Sequence, residues 1–324
     1  MMPTSILKNV TVFVAVLNKK DTIKNCVDSL LKLDPAPARI MIIDGYSKDG
    51  TYEILEQYKD KLDLFQFPEG LSATLNWGLD RIDTELTAMT DGDCRVAPDW
   101  LAELVKGFAE EGVIATAGHC GTPQGLSFLQ TIIGLEVENR WNRSPKYINR
   151  APEMNLCLKT EVAKKVRFNE KQMVAVDSDF GYRLTKLGKM TYNPAAKVFH
   201  YHRSSLKGFY KQQKNFAKWH LRILMQHGSK TISDHMSTPS MTLQVPVFSL
   251  GLLFFLASVF SKSFLYPALA FFLILLAIYF KNIIEIKPPL SYYPALLGLF
   301  ALRTVSWIMG IAEALLLFPV VLRK

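Results

Sequence analysis

The sequence predicts an α/β domain with a mostly parallel sheet, followed by an amphipathic helix and C-terminal transmembrane helices. Three observations predict it. Residues 10–17 and 39–43 are continuous apolar, β-branched runs, which read as strands buried on both faces of a parallel sheet. Stretches with apolar residues at helical spacing lie between such runs, giving a β-α-β-α-β order. Beyond about Ser240 the chain is apolar almost without relief.

After the first strand, residues 18–21 form a polar turn. Asp21 is placed to cap a helix whose apolar positions are Ile23, Val27, Leu30 and Leu31, and Pro35 and Pro37 end it. The second strand leads into a loop over residues 44–51, a helix over 51–60 and a third strand over 62–67. Asp49, followed by Gly50-Thr51, reads as a cap for that helix. Gly70 opens a further helix ending near Ile82, before a central strand at 85–89. Thr90-Asp91-Gly92-Asp93 follows, at the strand end where open α/β sheets place their ligands. Two carboxylates one residue apart suit a hard divalent cation, which fills its other positions with water and substrate phosphate. Most Asp-x-Asp pairs are solvated turns, so the surrounding motifs must carry the assignment.

A helix over 98–110 and a strand over 113–117 come next, then a helix around 128–141 between loops marked by Gly121, Gly125, Ser144 and Pro145. Asp179 opens a helix that runs through Leu187, a capping position. Residues 193–199 read as a turn and an edge strand.

Composition narrows the function. The chain has 324 residues, 49% of them hydrophobic, and a formal charge of +9. None of the nucleic-acid signatures is present, so the charge points to an anionic membrane surface and no nucleic-acid partner is expected. Four cysteines, Cys26, Cys94, Cys120 and Cys157, are scattered without a CxxC pair, which suggests neither a zinc site nor a disulfide framework. No GxGxxG follows the first strand, which argues against a dinucleotide fold. Residues 1–8 lack the long apolar region of a signal peptide.

The series Asn18…Asp21, Ile43-Asp44-Gly45-Tyr46-Ser47-Lys48-Asp49-Gly50-Thr51, Gly70-x-x-Ala73-x-x-Asn76 and Asp91-Gly92-Asp93, in that order, resembles glycosyltransferase family 2. These are inverting nucleotide-sugar transferases of Rossmann-like GT-A fold. The resemblance implies a UDP- or GDP-sugar donor bound by Val16, Asn18, Asp44, Ser47, Asn76, Asp91 and Gly92, with Asp44 on the base and Asp91 on the ribose side. It implies Mg²⁺ or Mn²⁺ held by Asp93 with Asp91 and His200. Val176-Asp177-Ser178-Asp179-Phe180-Gly181-Tyr182-Arg183-Leu184 resembles the family's E-D-x-D-L-x-x-R-L, which makes Asp177 the catalytic base; its competing reading is a structural carboxylate. Three departures stand out. Leu75 occupies the place of an Arg before Asn76, Arg95 stands where some members carry a metal-binding Gln, and Val176 replaces the family's Glu.

Between residues 206 and 226, Lys207, Lys211, Lys214, Lys218 and Arg222 form one basic stripe, with Phe209, Phe216, Trp219 and Ile223 roughly opposite. A helix lying in a membrane interface has this pattern, and so does a surface helix packed on the sheet. Gln212-x-x-Asn215-Phe216 is similar to the Q-x-x-R-W/Y motif of processive members but lacks its Arg. Arg203, Gln212 and Trp219 are candidates for the acceptor or diphosphate side. Residues 243–260 and 264–280 read as a hairpin of two spans, and residues 294–322 as a third apolar segment interrupted by Arg303 and Glu313. Lys281 and Lys287 read as the loop after the second span, on the cytoplasmic side.

The expected organisation is a catalytic domain over 1–204, an interface helix and linker over 205–240, and a membrane domain over 241–324. The expected protein is a multi-pass cell-membrane glycosyltransferase with its catalytic domain cytoplasmic, moving a sugar onto a lipid-linked sugar acceptor. A transferase acting on a polyprenyl or dolichyl phosphate is the alternative within the class, and a catalytically silent membrane scaffold the alternative outside it. Truncation after about Ser233 is expected to give a much more soluble chain.

Overall fold

The computed structural model describes residues 9–231 and 234–317. The N-terminal segment 1–8, Ser233 and the end of the third apolar segment lie outside the described residues. The chain forms two compact units. The first contains residues up to Leu126 and Trp141–Tyr201; the second contains Ser127–Arg140 and everything from His202 on.

The first unit is built on an eight-stranded sheet in the order β3-β2-β1-β4-β7-β6-β8-β5. Its strands are β1 (Val10–Val16), β2 (Arg39–Asp44), β3 (Asp63–Gln66), β4 (Leu86–Asp91), β5 (Cys94–Val96), β6 (Val113–Gly121), β7 (Leu156–Lys159) and β8 (Lys189–His200). The β-branched runs of β1, β2 and β4 pair in parallel, with Val16 opposite Asp44 and Ala15 opposite Asp91. Three motif segments therefore end at one level of the sheet. β7 runs antiparallel between β4 and β6, and β8 pairs with β6 on one side and β5 on the other. The expected edge strand is thus interior, and the edge is β5, which follows Asp93 directly.

Connecting helices are α1 (Ile23–Leu30), α2 (Thr51–Glu56), α3 (Leu71–Leu79), α4 (Trp100–Val105), α5 (Phe128–Asn142), α6 (Thr160–Val166) and α7 (Val176–Leu184). One core joins Val12, Val14, Ile23, Leu30, Leu55, Trp100 and Leu104, the inward faces of β1, α1, α2 and α4. Asp49 accepts from the Thr51 amide at 3.0 Å, so the expected cap forms. Asp21 makes no cap: the first turn of α1 begins after Thr22, whose hydroxyl donates instead to the Gly92 carbonyl at 2.9 Å. Asp179 does not cap α7 either; it is buried and ion-paired with Arg183.

The second unit holds α8 (Leu206–His227), the short α9 (Pro239–Thr242), α10 (Gln244–Ala257), α11 (Leu265–Ile286) and α12 (Tyr293–Leu316). Three of its segments, Pro239–Ala257, Lys262–Ile286 and Leu290–Leu316, are long and apolar enough to cross a membrane. Lys281 falls inside α11 rather than in the loop after it, and Lys287 ends that helix. Ile132 and Ile133 pack in this unit with Phe209, Leu275, Tyr279, Leu299 and Phe300. Three of the five residues in the basic stripe on α8 are turned inward: Lys214 and Lys218 each lie 2.6 Å from the Glu313 carboxylate, and Arg222 is buried.

Candidate active site

Three strand ends place the acidic motifs. At the end of β2, Asp44 is fully buried; its Oδ2 accepts from the Ser47 amide at 3.0 Å and from Gln66 Nε2 at 3.1 Å. Its Oδ1 has no partner among the described residues. A buried unsatisfied carboxylate oxygen is costly to keep, so it marks a place for a donor supplied by a ligand. The loop after β1 locks onto the loop after β2. The Asn18 amide donates to Ser47 Oγ at 2.8 Å, Asn18 Oδ1 accepts from the Lys48 amide at 2.8 Å, and the Val16 carbonyl accepts from Gly45.

At the end of β4, Gly92 has no room for a side chain: a Cβ there would lie 2.7 Å from Val16 Cγ2. The flanking carboxylates are polarised in opposite directions. Burial, together with the neighbouring Asp93 charge, pushes Asp91 up to about 7. Burial also acts upward on Asp93, but the His200 hydrogen bond and charge and the Lys19 ammonium outweigh it and hold Asp93 below the usual carboxylate range. His200 Nε2 stands 3.5 Å from Asp93 Oδ1, because β5 pairs antiparallel with β8 and sets Cys94 opposite His200. Lys19 bonds the other oxygen, Oδ2.

Asp93, Cys94 and His200 offer ligand atoms within 4.8 Å of one another. Burial drives the Cys94 thiol far above its ordinary range, so it stays protonated and is a poor ligand. The carboxylate and imidazole remain, an oxygen and nitrogen donor set that can hold a divalent cation with substrate oxygens completing the shell.

Asp177 lies in the first turn of α7, its Oδ1 accepting from the Ser178 amide at 2.8 Å. Burial raises its carboxyl above the ordinary range, with the Arg150 charge opposing. Arg150 also donates to Ser178 Oγ at 2.8 Å. A fifth carboxylate, Glu153, escapes sequence reasoning. The antiparallel register sets Met89 opposite Leu156, so the chain three residues before Leu156 reaches the C-terminal end of β4. Burial and the charges of Asp177 and Asp91 hold Glu153 well above its ordinary range. The missing signal is the antiparallel insertion of β7. Lys19 was equally invisible, being one of many lysines in a polar turn.

One expected donor-binding residue, Asn76, has its amide engaged within the fold. Asn76 is buried, donates to the Phe168 carbonyl and to Glu170 Oε1, each at 2.9 Å, and accepts from the Phe168 amide at 2.8 Å. Its amide is spent tying α3 to the segment before α7. Arg203, exposed before α8, and Gln212 and Trp219, half-buried on it, belong to the second unit.

The family model described as glycosyl transferase family 2 matches residues 11–158, and that of glycosyl transferase family group 2 matches residues 87–282, more than half of the chain. The chain belongs to the family 2 glycosyltransferases. Among its relatives is glycosyltransferase AglE of Haloferax volcanii, 27% identical over 36% of this chain and 40% of that one. The chain thus spans well under half of that relative's length. Another is poly-beta-1,6-N-acetyl-D-glucosamine synthase of Staphylococcus epidermidis, 23% identical over 98% of this chain and 85% of that protein. Its fold is shared with the mannosyltransferase PcManGT from Pyrobaculum calidifontis, solved in complex with GDP-Man and Mn²⁺. The TM-score is 0.56 at 20% identity, covering 95% of this chain and 86% of that one. The enzyme is therefore a GT-A glycosyltransferase, and its three apolar C-terminal helices suggest membrane association.

Proposed function

We propose that this glycosyltransferase moves a sugar, with inversion, from a UDP- or GDP-sugar to the hydroxyl of a lipid-linked acceptor at a membrane. The observation that carries the reading is the gathering of Asp44 with its open oxygen, the Asp91–Asp93–His200 cluster and Asp177 at one end of the sheet. Asp44 takes a ring N–H of the base, and the Asn18–Ser47 clasp fixes the loop around it. Asp93 and His200, with Asp91 toward the ribose, would hold Mg²⁺ or Mn²⁺, which when bound neutralises charge developing on the departing diphosphate. Lys19, already paired with Asp93, supplies the cation that Leu75 cannot.

In the reaction the acceptor oxygen attacks the anomeric carbon as the bond from that carbon to the diphosphate oxygen breaks. The hydroxyl proton passes to Asp177, and the nucleoside diphosphate leaves with the electron pair. A raised pKa suits a base that works near neutrality. The exposed apolar helices favour an acceptor presented by a lipid, and Asn215 in place of the processive motif's Arg favours single transfers.

Asp177→Asn tests the reading, with donor affinity and transfer rate measured on the same variant. Donor binding should survive. Transfer to a hydroxyl acceptor should fall by roughly 10²- to 10⁴-fold, the usual worth of a general base, and the acidic limb of the parent's rate profile, above the ordinary 3.8 of an aspartate, should vanish. A polyprenyl phosphate acceptor is ionised before it attacks, so a variant that keeps transfer to such a phosphate at the parent's rate would favour that acceptor class. Full transfer to a hydroxyl would remove Asp177 as the base.

A further inference from the structure

Tyr46 lies two residues after Asp44, whose buried Oδ1 has no partner among the described residues, in a backbone conformation that tyrosine avoids. Its φ is 60°, a left-handed value that is an outlier for a bulky side chain. The side chain is 45% exposed and forms no hydrogen bond, ion pair or ring contact among the described residues. Yet the backbone on either side is held firmly: Asp44 Oδ2 accepts from the Ser47 amide, and Ser47 Oγ accepts from the Asn18 amide. The clasp imposes the strain, and the strain presents an aromatic ring to solvent. Such over-determined strain clusters at ligand-binding positions.

Leu17 is the second exposed apolar group in the same place, 55% accessible. It lies against the loop, since a Cβ on Gly45 would stand 3.4 Å from Leu17 Cδ1. Both exposed apolar side chains thus belong to the loops beside a fully buried Asp44, whose Oδ1 lacks a donor among the described residues. A planar group with an N–H on its edge satisfies all three: the N–H meets Asp44 while the π-face meets Tyr46. Uracil and guanine have that ring N–H; cytosine and adenine in their neutral forms do not.

We propose that Tyr46 is the stacking platform for the donor's nucleobase. The proposal rests on the nucleotide-sugar reading above. Tyr46→Gly removes the ring and suits the left-handed backbone, so it separates binding from folding. With the full chain in detergent and Mn²⁺ present, UDP, GDP, CDP, ADP and inorganic pyrophosphate are titrated calorimetrically against the parent, Tyr46→Gly and Tyr46→Phe. The parent should bind UDP or GDP in preference to CDP and ADP. Tyr46→Gly should weaken that binding by roughly 10- to 100-fold, as loss of one base–aromatic stack does, Tyr46→Phe should bind like the parent, and pyrophosphate binding should be unchanged. The nucleotide-free melting temperature of Tyr46→Gly should equal or exceed the parent's. Unweakened nucleotide binding by Tyr46→Gly, or an equal loss for pyrophosphate, would overturn the platform; a lower melting temperature would make Tyr46 structural. A parent that binds no nucleoside diphosphate at all would instead overturn the donor reading.

Discussion

Asp179 lies two residues from Asp177 and has a different task. It is 2% exposed and takes two bonds from Arg183, Nε at 2.9 Å and NH2 at 2.7 Å, while Arg183 NH1 donates to the Val166 carbonyl at 2.5 Å. One arginine thereby ties α7 to the end of α6. Removing one partner of a buried pair leaves the other charge uncompensated, at a cost of about 3–5 kcal/mol. Arg183 keeps 28% of its side chain accessible, which places Asp179→Asn at about 3 kcal/mol, the low end of that range. Denaturant unfolding should register this loss while UDP and GDP affinities stay at the parent's level. Weakened nucleotide binding with intact stability would move Asp179 from scaffold to site. The two aspartates look alike in the sequence because both belong to one motif; only burial and the Arg183 pairing separate their roles. The same limit applied to Asn76, whose motif position pointed to the donor while its amide bonds Phe168 and Glu170.

The elements that a sequence displays best are those whose pattern is local. β1, β2 and β4 announce themselves as apolar runs, and because parallel pairing aligns their ends, the gathering of Asp44, Asp91 and Asp93 at one end of the sheet was legible. β5 and β7 are short, and their place depends on partners far along the chain. They bring His200 to Asp93, a placement expected only from the family resemblance, and Glu153 to the end of β4, which had no local signal. α8 shows the same limit. Its basic stripe suggested a face toward lipid headgroups, but Lys214 and Lys218 close on Glu313 of α12. The two helices touch at Gly310, where a Cβ would lie 2.2 Å from the Lys214 carbonyl oxygen. Backbone cannot yield as a flexible side chain does, so Gly310→Ala should force the helices apart and cost about 1–3 kcal/mol, the usual penalty of overpacking. Thermal unfolding in detergent should show a lower midpoint for the variant. An unchanged midpoint would mean the α8–α12 contact is loose.

At the scale of the molecule, sequence order and spatial grouping part company at residue 127. A reading along the chain assigns everything before the apolar third to the catalytic domain, yet Ser127–Arg140 groups with the apolar helices. Ile132 and Ile133 are buried there among Leu275, Leu299 and Phe300. Arg303, buried inside α12, bonds Glu136 of α5 at 2.7 Å and Gln244 at 3.3 Å. This supplies the protein partner that a charged residue in an apolar span requires. The exposed surface of the same unit is strongly apolar, with Phe260 90% accessible at the α10–α11 turn. Full-length protein should therefore pellet with membranes and need detergent; its recovery in a detergent-free supernatant would sink the membrane reading. Truncation after Ser233 then has a consequence that hydropathy alone misses. It removes the three apolar helices but also strips the cover from Leu129, Ile132, Ile133 and Val137 and takes Arg303 from Glu136. An uncovered apolar face of this kind is an aggregation site. The truncated chain should accumulate in the void volume on gel filtration, and replacing Ile132 and Ile133 with Ser in the same truncation should return it to a monomer peak. A truncated chain that is monomeric without those replacements would mean that Ser127–Arg140 does not depend on the apolar helices for its cover.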